Sequence, residues 1–153
     1  MTDKFPTGSA TVRLDLPADT SYAQLVRAAL AALAAQHDFS LDRIEDLRLA
    51  GTEAFAVAAV RAQEGATVHV VITANHDTVE VAATVLADAS KATKGGPGSL
   101  GWTLLTSLVD QLAETSDGAE TGIWLRVRSD QQAPVPHVPA QPHGQAQSHG
   151  QAQ

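Results

Sequence analysis

Apolar and polar positions change rhythm several times along this chain. From Ala10 to Leu16, Val12, Leu14 and Leu16 alternate with Thr11, Arg13 and Asp15, a period of two that predicts a half-exposed strand ended by Pro17. Tyr22 to Gln36 shifts to helical spacing, with Leu25, Ala28, Ala29, Ala32 and Leu33 as the expected buried stripe and Ser21 with Gln24 as a capping box. After a turn at Asp38 to Ser40, with Ser40 as candidate N-cap, Leu41 to Val60 forms the most sustained helical pattern. Ile44, Leu47, Gly51, Ala54, Phe55 and Ala58 share one face of it, and Gly65 is expected to close it.

Alternation returns in Thr67 to Thr73, with Val68, Val70 and Ile72 on one face, and in Thr78 to Val85, with Val79, Val81 and Ala83. The two predict an antiparallel hairpin across Ala74 to Asp77. Leu86 to Gly98 is a long Gly-rich loop, of a length that in a compact domain serves function or mobility. Ser99 reads as the cap of a third helix with Leu100, Leu104, Leu105, Leu108, Val109 and Leu112 on its apolar side. Gln111 to Thr115 reads as a short strand, Ser116 to Glu120 as a turn, and Thr121 to Arg128 as a last strand with Ile123, Leu125 and Val127 inward. This order predicts an α+β two-layer sandwich: a mixed, mostly antiparallel sheet with helices on one face.

The pattern assigns 1–9 to a disordered start, 10–129 to one domain and 130–153 to a disordered tail rich in Pro, Gln and His. In the tail HGQAQ occurs twice, and His137, His143 and His149 are evenly spaced. No cysteine or carboxylate joins these imidazoles, so a repeat in a solvated tail is favoured over a metal site. Elsewhere, too, no metal site is expected. The absence of cysteine excludes disulfides, zinc–thiolate sites and a thiol nucleophile. A formal net charge of −7 argues against direct binding to nucleic acid or an anionic membrane. No apolar run is long enough to span a bilayer, which makes the cytoplasm the expected location.

The charge pattern singles out one residue. Between Arg48 and Arg61 the only ionisable side chain is Glu53, set among Leu49, Ala50, Ala56, Val57 and Val60 on the face opposite Phe55. A helix apolar all round is expected to be covered on both sides, so Glu53 should be buried or line a cleft. Two roles fit: a structural carboxylate that accepts hydrogen bonds from a neighbouring strand or loop, or a general base.

The stretch EDLRLAGTEAFAVAAV followed by GPGSLGWTLLTSLVDQL resembles the anti-sigma factor serine kinases of the histidine-kinase-like ATPase (GHKL, Bergerat fold) superfamily, over about residues 10–128. The family's first motif reads roughly D-x-x-L-A-x-x-E-A-x-x-N-A, and Asp46, Leu49, Ala50, Glu53, Ala54 and Ala58 match it. The resemblance implies that Glu53 is the general base for phosphoryl transfer to a serine. It places Val57 where the family has its magnesium-binding Asn, and a valine cannot ligate a hard cation. The D-x-G-x-G motif, whose Asp reads adenine, is absent: its Asp falls near Val85 and its Gly near Ala87, with Asp88 a poor substitute. The phosphate lid is retained in Gly95, Gly96, Gly98, Ser99 and Gly101.

The resemblance therefore implies ATP and magnesium as cofactors, and the departures imply that their binding is weak or lost. The expected function is that of an anti-sigma factor of stress-response type, which sequesters an RNA polymerase sigma factor, is countered by an anti-anti-sigma factor, and forms a homodimer. The alternatives are an active ATP-dependent serine kinase that phosphorylates the antagonist, and a non-catalytic α+β scaffold.

Overall fold

The computed structural model describes residues 8–130, so the expectations for residues 1–7 and for the tail from 131 lie outside the described residues, while Ser9, expected in the disordered start, opens the first strand. Strand β1 (Ser9–Pro17) leads through a 3-10 turn (Thr20–Tyr22) into helix α1 (Ala23–Ala35) and helix α2 (Leu41–Arg61). Strands β2 (Thr67–Asn75) and β3 (Thr78–Leu86) form the hairpin, and Asn75 Oδ1 organises its turn by accepting from Asp77 N and from Thr78 N and Oγ1. The Gly-rich loop follows, then helix α3 (Leu100–Leu108) and strands β4 (Gln111–Asp117) and β5 (Glu120–Arg128).

The five strands lie in the order β1-β2-β3-β5-β4. Every neighbouring pair is antiparallel, so the sheet has no parallel component where a mixed, mostly antiparallel one was expected. Register explains the core. Val12, Ile72, Val81, Leu125 and Leu112 form one unbroken apolar row across all strands, on the face that the helices cover. The next row runs Leu14, Val70, Ala83, Ile123 and ends in Glu114. On the opposite face Arg13, Val71, Ala82, Trp124 and Ala113 line up, with the Arg126 guanidinium 5.1 Å from the Trp124 ring centre.

Helix α2 is the spine. Ser40 Oγ caps it by accepting from Arg43 N, as the sequence predicts. Leu47, Ala50, Ala54, Phe55 and Ala58 are buried against the sheet and α1, each large one contributing about 1.5–3 kcal/mol. The helices touch at Gly51, where a β-carbon would lie 2.1 Å from Leu30 Cδ1. Only a glycine lets α1 pack this close.

Four local expectations are corrected. Helix α1 buries Ala23, Val26, Leu30, Leu33 and Ala34; Leu25 is exposed, because the abundant alanines left the stripe to be set by Val26 and Leu30. Ser21 and Gln24 form no capping box; instead Asp19 accepts from Ser21 N and caps the 3-10 turn. Gly65 is not the cap of α2: the helix ends at Arg61, Ala62 bridges to Ala87, and Gly65 takes its positive φ in the turn before β2. In α3 only Leu105 is fully buried, Leu100 is 87% exposed, and Leu112 belongs to β4.

Candidate functional site

Glu53, Val57 and Arg61 stand one turn apart on α2, and the Gly-rich loop and the start of α3 lie against all three. A β-carbon at Gly101 would sit 3.3 Å from Glu53 Oε2, so the carboxylate faces the first turn of α3. That turn is capped by Ser99 Oγ, which accepts from Trp102 N at 3.1 Å. Glu53 itself is partly buried and has no hydrogen-bond or ion-pair partner among the described residues. The face around it is less covered than expected: Leu49 is 42% and Val60 46% exposed. Helix α2 is therefore apolar there without being enclosed.

One turn on, Val57 is buried, and a β-carbon at Gly95 would lie 3.0 Å from Val57 Cγ2. The loop backbone is thus seated directly on the valine, with Gly95 at φ 70. A further turn on, Arg61 is 1% exposed. Its Nε donates to Lys94 O at 2.7 Å and its Nη2 to Glu114 Oε1, which reaches in from β4. Gly96 backs onto both groups: a β-carbon there would be 2.8 Å from Glu114 Oε1 and 3.1 Å from Arg61 Nη2. The main chain of Arg61 completes the attachment, as its carbonyl accepts from Asp88 N at 2.9 Å.

The predicted residues are therefore brought together, with different surroundings. Gly95, Gly96 and Gly101 contact α2 side chains; Gly98 (φ 90) has open space around it. Val85 is buried inside β3. Ala87 N donates to Ala119 O, and its carbonyl accepts from Gln63 Nε2. Asp88 accepts from both the backbone N and the hydroxyl of Ser90, which hold its carboxyl below the usual range. The carboxylate is committed to its own loop. An open hollow of about 580 Å³ lies beside Pro17, Ala59, Gln63 and Lys91, and none of Glu53, Gly95, Gly96, Gly98 and Gly101 lines it.

Magnesium does not fit this site. The position that would ligate it is a buried valine covered by backbone, and among the described residues no cluster of His, Asp or Glu could hold a metal ion. Adenine fares no better, since Val85 and Ala87 offer no carboxylate to read it.

Sequence reasoning missed Arg61 and Glu114. The signal was present: Arg61 continues the i, i+4 series from Glu53, and Glu114 shares the inward parity of Leu112 in a predicted strand.

A long helix with one carboxylate isolated in its apolar second half, a Gly-rich loop folded onto it and an antiparallel sheet beneath are consistent with the histidine-kinase-like ATPase architecture. The chain matches the family model of the histidine kinase-like ATPase domain over residues 16–128 and belongs to that family. It is also 29% identical over 116 residues to proteins named anti-sigma-F factor RsbW from two strains of Mycobacterium tuberculosis, CDC 1551 / Oshkosh and ATCC 25618 / H37Rv. Each alignment covers 76% of this chain and 68% of the relative. No helix among the described residues is long and apolar enough to cross a membrane.

Proposed function

We propose that this protein is an anti-sigma regulator that sequesters an RNA polymerase sigma factor, is countered by an anti-anti-sigma protein, and has weak or lost magnesium–ATP and kinase activity. The observation that carries the reading is the packing of Gly95 on Val57, which leaves a hard cation neither a donor nor space. The likeness to anti-sigma-F factors supports the class of partner. Protein docking needs no phosphate chemistry, so it survives this loss. In this reading the working domain is 10–129, the tail from Gln131 onward is dispensable for folding, and the protein acts in the cytoplasm as a homodimer. Strand β1 supports the dimer, since it pairs with β2 on one side only and leaves an edge for a second copy.

Co-purification from cells expressing tagged full-length protein is the direct test: a sigma factor in stoichiometric amount is expected, and its absence at every growth stage counts against the reading. Sedimentation at micromolar concentration checks the dimer.

The second reading, an active serine kinase, is favoured by one observation: the Glu53 carboxylate is without a hydrogen-bond partner among the described residues and faces the first turn of α3. Titration with a fluorescent nucleotide, with and without magnesium, separates the two. Magnesium-dependent binding and transfer to an antagonist serine select the kinase.

A further inference from the structure

We propose that the groove between α1 and α2 is a site for a small dicarboxylate, with Arg27 holding one carboxylate and Arg48 the other. This is independent of the anti-sigma and kinase readings above.

The groove follows from helix periodicity. Gln24, Arg27, Ala28 and Ala31 fall at i, i+3, i+4 and i+7 on one flank of α1, and Arg48 lines the same hollow from α2. Gly51 lets the two helices close up at Leu30, and the short side chains of Ala28 and Ala31 leave room beside that contact. The hollow measures about 330 Å³, at the lower end of the range for small-molecule sites. None of Glu53, Val57, Arg61, Gly95, Gly96, Gly98 and Gly101 lines it, so it is separate from the site of the Gly-rich loop.

The fold does not use up the two cations. Arg27 is exposed and has no hydrogen-bond or ion-pair partner among the described residues. Arg48 donates through Nη1 to the Glu45 carboxylate one turn earlier on α2, while its Nε is shut off from solvent and has no acceptor among the described residues. A donor hidden from water without an acceptor costs about as much as a lost hydrogen bond, and native folds keep few of them. An incoming carboxylate resolves it. In a guanidinium the Nε–H and one Nη2–H run parallel and match the two oxygens of a carboxylate, and Glu45 occupies the other nitrogen. Arg27 supplies a second fork, so the complementary ligand carries two carboxylates. The methyl groups of Ala28 and Ala31 give a short hydrocarbon link an apolar surface to lie on, which inorganic phosphate would not use. Locally two arginines face the single carboxylate of Glu45, although the chain carries a formal −7.

The test is titration of the full chain with glutarate at fixed ionic strength, following the side-chain Nε–H resonance of Arg48 by NMR and the affinity by calorimetry. A saturable shift of that resonance is expected, with acetate and inorganic phosphate each bound roughly tenfold more weakly. Arg27→Gln changes an exposed residue without partners, so it should weaken glutarate binding about tenfold and leave the melting temperature where it was. Glu45→Gln removes the carboxylate that competes for Arg48 and should tighten binding severalfold. Arg48→Lys keeps the charge but loses the fork, and about a tenfold loss should follow in the calorimeter. The proposal is overturned if glutarate gives no saturable shift, if Arg27→Gln binds it as tightly as wild type does, or if acetate or phosphate matches it. It is overturned as well if a helical peptide bearing two glutamates one turn apart binds while glutarate does not, since the groove would then dock an acidic helix rather than a small molecule.

Discussion

Two ends of one stripe on α2 deal with charge in opposite ways. At Glu53 a carboxylate sits partly buried beside the first turn of α3, without a hydrogen-bond or ion-pair partner among the described residues. Two turns on, Arg61 is almost fully buried and spends its donors on Lys94 O and Glu114. The difference shows where this domain is built and where it is left free. A buried charge with fixed partners ties elements together at a desolvation cost, whereas a partly wet charge without partners costs little and remains available. The Gly-rich loop belongs structurally to the Arg61 end, because its backbone is bonded there, although its following helix faces Glu53.

The comparison breaks most severely at Arg61. Arg61→Met should lower stability by about 2–4 kcal/mol, since it removes the donor to Lys94 O and the partner of Glu114 while leaving both groups in place. Urea denaturation with an unchanged m-value would report this; a loss below about 0.5 kcal/mol would mean that the loop does not depend on the arginine. Next comes Gly95→Ala. Its left-handed backbone and the 3.0 Å approach to Val57 Cγ2 should together cost about 1–2 kcal/mol, and a Val57→Ala partner change should recover part of that by making room. A double-mutant cycle measures the recovery, and strict additivity would argue that the two residues are not in contact.

A smaller effect is expected in acid. The Ser90 hydroxyl and backbone N–H, in that order, lower the carboxyl of Asp88 from its ordinary 3.8. A depressed folded-state value means that its contribution is present above about pH 4 and is lost as pH falls through the folded value. The protection of the Ser90 amide, measured against its intrinsic exchange rate at each pH, should therefore fall below about pH 4, before that of the β2–β3 hairpin; simultaneous loss would show that the first turn of the loop has no local stability of its own. The smallest effect belongs to Glu53. Glu53→Gln should leave the melting temperature within a degree or two, because no bond is lost. Partner binding should be nearly unchanged as well, whereas an active kinase would lose about 100-fold or more in phosphoryl transfer.

Much of the fold was readable because strand parity is binary: Val68, Val70 and Ile72 can face only one way once one of them is placed. Helix faces were readable in proportion to side-chain size. In α2, Leu47 and Phe55 fix the stripe. In α1, a run of alanines leaves several rotations nearly equal in apolar character, so the expected face slid away from Val26 and Leu30. At the site, the residues belonging to a contiguous pattern were found: Glu53 by its isolation among apolar neighbours, the glycines by their density. Glu114 lies 53 positions from Arg61, and pairing it with that residue requires knowing that β4 forms the edge beyond β5. Periodicity says which way a side chain points and is silent on what it meets.

The knot at the start of α2 has a practical consequence. Ser40 Oγ donates to Asp130 Oδ2, and Arg43 bonds both Arg128 O and Asp110, so the last described residues are fastened to the N-terminal turn of that helix. Arg61 sits at the other end of a 21-residue helix, about 30 Å away at 1.5 Å per residue. A fluorophore, affinity handle or surface tether joined after Asp130 thus begins a full helix length from the Gly-rich loop. Attachment there leaves the loop untouched, and a probe pair spanning the two ends would have the helix as its ruler.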